Sequence, residues 1–444
     1  EAYLSDVTRP VKTELPQYLI AEEKLQRAIW QHFIGRDLTA DEMNQIFEET
    51  AYVRTGGSAE EKKCAAYIKE KCKAFGLTAT EESFEVEIAE ISEAKLVVNG
   101  KEIPCKGYLC AGSSEVEAPL YYLTNTDKYS LSCCNGKIVM IDGYLGYWKY
   151  RDMLENGAVG FITYDGDANY ADNDIDQREL RSYISKGDKI PGVNINAKDA
   201  IALIRDDAQT AKIVLKQDEK KGTSQNLILD IPGESDEVIV LTAHYDSTWL
   251  SEGAYDNMSG CVGLLELAER FSKTKNHYSL RFIWCGSEER GLLGSKAYTA
   301  ADEERLQKMI LNVNLDMIGC IMGNFIACCT SEEKLVHYIE YFSSVEGFGM
   351  KAYQGVYSSD STPFADKGIP AVSFARIAPK NTATIHNSYD TRKVMKVEQL
   401  QIDIDFIYAF VNAMVNAKKC PVAKEMPDKM KEKLDEYLLR KRGA

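Results

Sequence analysis

The chain has 444 residues, of which 45% are hydrophobic and 27% charged, ordinary proportions for a soluble globular protein. That length exceeds one ordinary hydrophobic core and predicts two domains. A formal net charge of −15 argues against nucleic acid or an anionic membrane as the main partner, because both need basic surfaces, and no apolar run approaches the ~18 residues of a membrane span.

Residues 1–55 read as an irregular arm followed by helices. Thr39 and Glu42 form a capping-box pattern ahead of Met43, Ile46 and Phe47. Ser58 and Glu61 form a second, opening a helix whose apolar side is Cys64, Ala65, Ile68, Cys72 and Phe75 and which Gly76 closes. The segment E-E-S-F-E-V-E-I alternates as a strand. From about residue 93 the texture changes. K-L-V-V-N-G-K-E-I carries a hairpin signal at Asn99–Gly100. G-K-I-V-M-I-D-G is a buried strand, W-K-Y-R-D-M-L-E-N-G a helix stopped at Asn156–Gly157, and A-V-G-F-I-T-Y another strand, together one βαβ unit. An acidic loop, the strand-like I-P-G-V-N-I and a helix through Ile201 and Ile204 follow, and the lysine-rich Q-D-E-K-K-G-T ends the block near Gly222. The block 93–222 has no histidine and no clustered catalytic set, so it is read as an inserted, non-catalytic module that covers the site.

Beyond it, N-L-I-L-D-I-P-G, E-V-I-V-L-T-A, Y-S-L-R-F-I-W-C, M-I-L-N-V-N-L-D and P-A-V-S-F-A are strands alternating with helical stretches, the pattern of a mostly parallel α/β sheet. The expected division is therefore 1–92 for the N-terminal part of the catalytic domain, 93–222 for the insertion, 223–420 for the rest of the catalytic domain and 421–444 for a helical tail. In the tail, Met430, Leu434, Tyr437 and Leu438 recur at helical spacing among many charges, which is read as a solvated surface helix in preference to a docked or dimer-forming one. The twelve cysteines, including the adjacent pairs Cys133–Cys134 and Cys328–Cys329, show no Cys-x-x-Cys and no regular spacing. They read as reduced thiols in core positions, which favours a reducing compartment such as the cytoplasm. A chain that starts at Glu1 rather than Met leaves open a secreted or periplasmic protein whose signal peptide has been removed.

Chemistry concentrates in the second half. His244 ends an apolar strand, Asp256 precedes an apolar helix, Glu288 and Glu289 follow R-F-I-W-C-G-S, Asp316 follows another strand, and His386 lies in a polar loop. Each has an ordinary alternative: a hydrogen-bonded core histidine for His244, a helix N-cap for Asp256, a solvated first helical turn for the two glutamates. Asp316, flanked by Leu315, Met317 and Ile318, is costly to bury unless paired or metal-bound. Together, two His, two Asp and two Glu are what a pair of adjacent divalent metals and one general base require: a His and a carboxylate per ion, a bridging carboxylate, and one carboxylate left to move protons. Asp246, two residues past His244, is placed to orient its imidazole. His32, His277 and His337 are assigned no chemistry.

At H-Y-D, Y-D-N-M-S-G, S-E-E-R-G-L-L-G-S, N-L-D-M-I-G, S-S-D-S-T-P-F-A-D-K-G-I-P-A and H-N-S-Y-D-T, between residues 226 and 391, the chain resembles the zinc aminopeptidase family that includes secreted bacterial two-zinc leucine aminopeptidases and glutamate carboxypeptidase II. The block 93–222 resembles the protease-associated domain that many members carry. The resemblance implies a mixed, mostly parallel α/β sheet sandwiched by helices, with a smaller inserted α/β domain. It implies two divalent ions, most readily zinc, one on His244, Glu289 and bridging Asp256, the other on Asp316, His386 and the same Asp256. Glu288 would be the general base, and the Asp256–Asn257 peptide bond is one the family often holds in cis. The implied activity is removal of N-terminal residues from a peptide substrate. Carboxypeptidase or dipeptidase action, a glutaminyl cyclase-like acyl transfer and a receptor-like binding role are the alternatives within the same scaffold. Oligomeric state is left open. The chain departs from the pattern at Ser361, where many relatives place His, and at Ile385, where some place an oxyanion-binding Tyr, which leaves Tyr357 and Tyr389 as candidates for that role.

Overall fold

Two long antiparallel strands join the halves of the molecule. In the computed structural model, which describes residues 38–141, 145–166 and 175–443, β1 (Thr80–Val98) pairs with β8 (Thr210–Ile231) from Thr80↔Ile228 to Val98↔Ala211. The arm expected at the N-terminus and part of the acidic loop lie outside the described residues. The expected boundaries at 93 and 222 both fall inside these strands. The lysine-rich segment read as an ending is instead paired strand, with Lys221–Glu85 at 2.7 Å and Lys220–Glu90 at 3.1 Å across the ladder. Gly222 marks no break there. It leaves room for Ile88, whose Cδ1 would lie 2.0 Å from a Cβ at that position.

Asn99 and Gly100, both at positive φ, turn β1 into β2 (Lys101–Ile103), with Val98 opposite Lys101. The inserted half continues with β3 (Cys105–Gly107), β4 (Ser114–Leu123), β5 (Ile138–Ile141), β6 (Gly160–Asp165) and β7 (Gly192–Asn196). β4, β5, β6 and β7 pair in parallel, and the helix Tyr147–Glu155 connects β5 to β6 as the βαβ reading required. This half has its own core around Ile138, Met140, Phe161 and Ile195.

The half read as catalytic adds β9 (Val238–His244), β10 (Ser279–Cys285), β11 (Met309–Leu315), β12 (Asn324–Thr330), β13 (Lys351–Gln354) and β14 (Ala371–Ile377). β10, β9, β11 and β14 run parallel, β12 is antiparallel to β14, and β13 is parallel to β12. β8 carries the sheet onward, pairing with β10 on one side and β4 on the other. The strands of the parallel run are buried along almost their whole length, so they read as continuous apolar runs. The helix Ser259–Ser272, buried from Ser259 to Phe271, packs within the large core that includes Leu241, Phe282, Val313 and Phe374.

Thr39 caps the helix Ala40–Glu49 with a reciprocal box through Glu42. Ser58 caps the helix Ala59–Ala74, but Glu61 does not reach back to it: its carboxylate is buried and engaged elsewhere. The tail reading is corrected. The helix Asp428–Tyr437 docks, burying Met430 and Leu434 together with Met426 against Ala365 and Ala371. All twelve cysteines are free thiols. Among the described residues no helix is long and apolar enough to cross a membrane.

Candidate metal centre

Parallel pairing of β10, β9 and β11 sets their carboxyl ends side by side, which is where the crevice of an open α/β sheet forms. His244 ends β9, Asp316 directly follows β11, and Glu288 and Glu289 follow β10 after the turn Gly286–Ser287. Asp256 enters on the turn ahead of the helix Ser259–Ser272, and its bond to Asn257 is cis. His386 arrives on the loop beyond β14. All the nominated residues therefore converge, although they come from five separate segments.

Asp256 stands at the middle. Its Oδ1 is 3.1 Å from His244 Nε2 and its Oδ2 is 3.1 Å from His386 Nε2. His244 Nε2 is also 3.8 Å from Asp316 Oδ1, and His386 Nε2 is 3.2 Å from Glu289 Oε2. These distances change the pairing that the family resemblance implied. His244 groups with Asp316 and Asp256, and His386 groups with Glu289 and Asp256, while His244 also lies within reach of Glu288 and Glu289. The exchange has a simple cause. β9 lies between β10 and β11, but Asp316 follows β11 directly, whereas Glu289 comes four residues after β10 and its Oε2 reaches His386 Nε2.

The donor set fits divalent cations. Glu289 Oε1 and Asp316 Oδ1 are buried without a hydrogen-bond partner, a cost that a cation would remove. Burial works against a charge on His244, yet Glu288, Asp246, Asp256 and Asp316 outweigh it and hold the imidazole pKa well above its usual value. His386 is likewise pushed up to about 12, burial being overcome by Glu289 and Asp256. A metal-free cradle thus keeps protons on both imidazoles, and bound metal would replace them. Mixed imidazole and carboxylate donors suit zinc.

Asp246 does two things. Its Oδ1 lies 3.5 Å from His244 Nδ1. Its two oxygens also accept the backbone N–H of Glu288 at 2.9 Å and of Glu289 at 3.1 Å, so one carboxylate orients the imidazole and fixes the glutamate turn. Glu288 is pushed well above the usual carboxylate range, first by burial and then by the charges of Glu289, Asp360 and Asp316, against the opposing pull of His244.

Four supporting residues escaped the sequence reading. Asp390 accepts from the backbone N–H of Tyr255 at 2.8 Å and of Asp256 at 3.1 Å, holding the bridging residue in place. Asn257 donates to Leu315 O at 2.8 Å and accepts from Met317 N–H at 3.1 Å, locking the Asp256 turn to the Asp316 turn. Glu61 accepts from Ser287 N–H at 2.9 Å and Ser224 Oγ at 2.8 Å, bracing the turn before the glutamates. Asp360 is fully buried, and its carboxyl is raised to about 6 by burial, with His244 opposing and the charges of Asp246 and Asp316 adding to the rise. Asp390 and Asp360 do sit within the polar phrases around His386 and Ser361. Glu61 looked like a helix cap, and nothing local marked it as anything more.

Ser361 is buried and shares a 2.8 Å hydrogen bond with Ser373, outside the ligand set. The Tyr357 hydroxyl is buried without a partner, while Tyr389 is 63% exposed. A cavity of about 1160 Å³ opens onto Glu289 and His386, between Trp249 of the catalytic half and Asp176 and Arg178 of the inserted half.

Residues 226–411 match the sequence profile described as peptidase family M28. The chain is similar to "Aminopeptidase YwaD" of Bacillus subtilis, 29% identical over 402 residues that span 86% of this chain and 85% of that one. It is 26% identical to "Leucine aminopeptidase 2" of Arthroderma otae over 69% of this chain, and spans 60% of that protein's length. Among solved structures, "BSAP, a zinc aminopeptidase from Bacillus subtilis" superposes with a TM-score of 0.72 at 26% identity, covering 88% of this chain and 98% of that one. An aminopeptidase from Aneurinibacillus sp. strain AM-1 superposes with a TM-score of 0.71 at 26% identity, covering 87% and 96%.

Proposed function

We propose that this chain, whose residues 226–411 match peptidase family M28, is a metal-dependent aminopeptidase that releases N-terminal residues from peptides. The observation that carries the reading is the bridging geometry of Asp256, which offers one oxygen to the His244 group and the other to the His386 group, each at 3.1 Å. His244, Asp316 and Asp256 would hold one ion, and His386, Glu289 and Asp256 the other. When bound, such ions lower the pKa of a water molecule and offset the negative charge that develops on the scissile carbonyl oxygen.

The protein's own groups do the rest. Glu288 is the carboxylate left over from the two ligand groups. It accepts the proton of the attacking water and delivers it to the departing amide nitrogen. Asp246 keeps Glu288 at its station by receiving its backbone N–H, and keeps His244 turned so that Nε2 faces Asp256. Asp390 does the same for Asp256. The inserted half roofs the cavity and restricts what reaches the site.

A panel of dipeptides, blocked at the amino or the carboxyl end and assayed with added zinc, tests the reading. Carboxyl-blocked dipeptides should be cleaved and amino-blocked ones should not. Cleavage of only the amino-blocked set would make the protein a carboxypeptidase instead.

A further inference from the structure

The matched profile ends at residue 411, yet the chain after it returns to the site. The helix Asp428–Tyr437 is seated on the catalytic half by Met426, Met430 and Leu434. At its end the Tyr437 hydroxyl lies 2.6 Å from Ser358 Oγ, two residues from buried Asp360. Arg440 then grips Asp366 of the catalytic half with two hydrogen bonds, 2.6 and 2.7 Å. Arg442 crosses to the inserted half, where it grips Asp152 with two more, 3.0 and 2.5 Å, and lies 5.3 Å from the Trp148 ring centre. The tail therefore spans both halves of the molecule.

The loop that carries the glutamates is bracketed in the same place. Arg290, next to Glu289, binds Glu179 of the inserted half at 2.7 and 2.8 Å. The Tyr183 ring of that half lies against Gly291, so closely that a Cβ there would be 2.8 Å from it. Tyr437 is within electrostatic range of Glu288, Tyr183 and Arg181. Three parts of the chain thus meet beside Glu288, whereas the open cavity reaches Glu289 and His386.

Resting on the aminopeptidase reading, we propose that the C-terminal segment 426–443 is a specificity-determining wall of the site: the N-terminal residue of a peptide occupies the open cavity, the leaving portion runs past Glu288 and Tyr437, and Arg442 clamps the inserted half against that path. The reason is chemical. Glu288 must reach the departing amide nitrogen, so the residues that follow the scissile bond lie on the Glu288 side, where Tyr437 stands. The wall limits how long a leaving portion is accepted.

The test compares an amino acid amide, whose leaving group is ammonia and too small to touch the wall, with a pentapeptide of the same first residue. The zinc-loaded full chain is compared with Tyr437→Ala, Tyr437→Phe and Arg442→Ala, with metal content and melting temperature recorded for each. Tyr437→Ala should raise the pentapeptide-to-amide ratio of kcat/KM about tenfold, the scale on which contacts in a binding site discriminate substrates. Tyr437→Phe keeps the ring and should keep the parent ratio. Arg442→Ala, a surface change that spares the docked helix, should raise the ratio in the same direction, and serves alone if Tyr437→Ala does not fold. A pentapeptide-to-amide ratio that stays within about twofold of the parent, or falls, in the folded variants overturns the proposal. Failure of the parent to cleave the amide at all would instead overturn the aminopeptidase reading.

Discussion

The two halves of the metal cradle are built differently. His244 is 1% exposed, ends a strand held between two others, and has Asp246 behind its ring. His386 is 48% exposed and sits at positive φ in a loop whose hydrogen bonds are local, such as Asn387 Nδ2 to Ile385 O at 2.8 Å. The His244 side is organised by the sheet before any ion arrives, whereas the His386 imidazole itself is placed by an exposed loop. A ligand locked by packing and by partners behind it binds metal more tightly than one that must be ordered on binding. The buried group should therefore keep its ion longer than the exposed group when a chelator is added. Glu288 belongs to neither half, and serves both.

The largest effect expected is at that shared residue. Glu288→Gln keeps the shape and removes the proton acceptor. Turnover should fall by ~10²–10⁴-fold, the usual scale for a general base, while elemental analysis still finds about two ions per chain. An active Glu288→Gln enzyme with normal metal content would return the glutamate pair to an ordinary turn.

The next experiment separates the halves. Glu289→Gln and His386→Ala act on the same ion in the observed pairing, so the double variant should retain about one ion per chain, as each single variant does. Glu289→Gln combined with His244→Ala should lose both. If the first pair lost both ions and the second only one, the pairing implied by the family resemblance would be right and the distances misleading.

The smallest effect concerns Glu61, which braces the glutamate turn. Its carboxyl is raised from about 4.5 to about 7, first by burial and then by the charge of Asp246. The folded state therefore holds this proton more tightly than the unfolded one. That contribution is complete below about 4.5 and is lost as the pH rises through about 7. Melting temperature should decline over this window by a few degrees at most, and Glu61→Gln, which stays neutral, should flatten the decline. An equal slope in both proteins would remove Glu61 as its source.

The candidate ligands, the alternating α/β pattern and the Asn99–Gly100 hairpin were legible in the sequence. Each of these is written in a few neighbouring residues: a β-branched run stopping at His244, an Asp after Leu315, a turn pair at positive φ. Only the folded chain shows which candidate ligands lie together, because that depends on how far Glu289 stands beyond β10 and on which way the two oxygens of Asp256 point. It alone revealed Glu61, Asp360 and Asp390, whose partners are distant in the chain or are backbone groups that no spacing rule reports. It alone continued β1 and β8 through charged segments, since cross-strand Glu–Lys pairs make a solvated strand look like a loop. The tail was misread for a related reason. Met430 and Leu434 are too few to imply a docked helix on their own, and the apolar surface that receives them, at Ala365 and Ala371, belongs to elements more than fifty residues earlier in the chain. Local propensity specifies elements and candidate groups, but burial and pairing are properties of surfaces that exist only once distant segments have met.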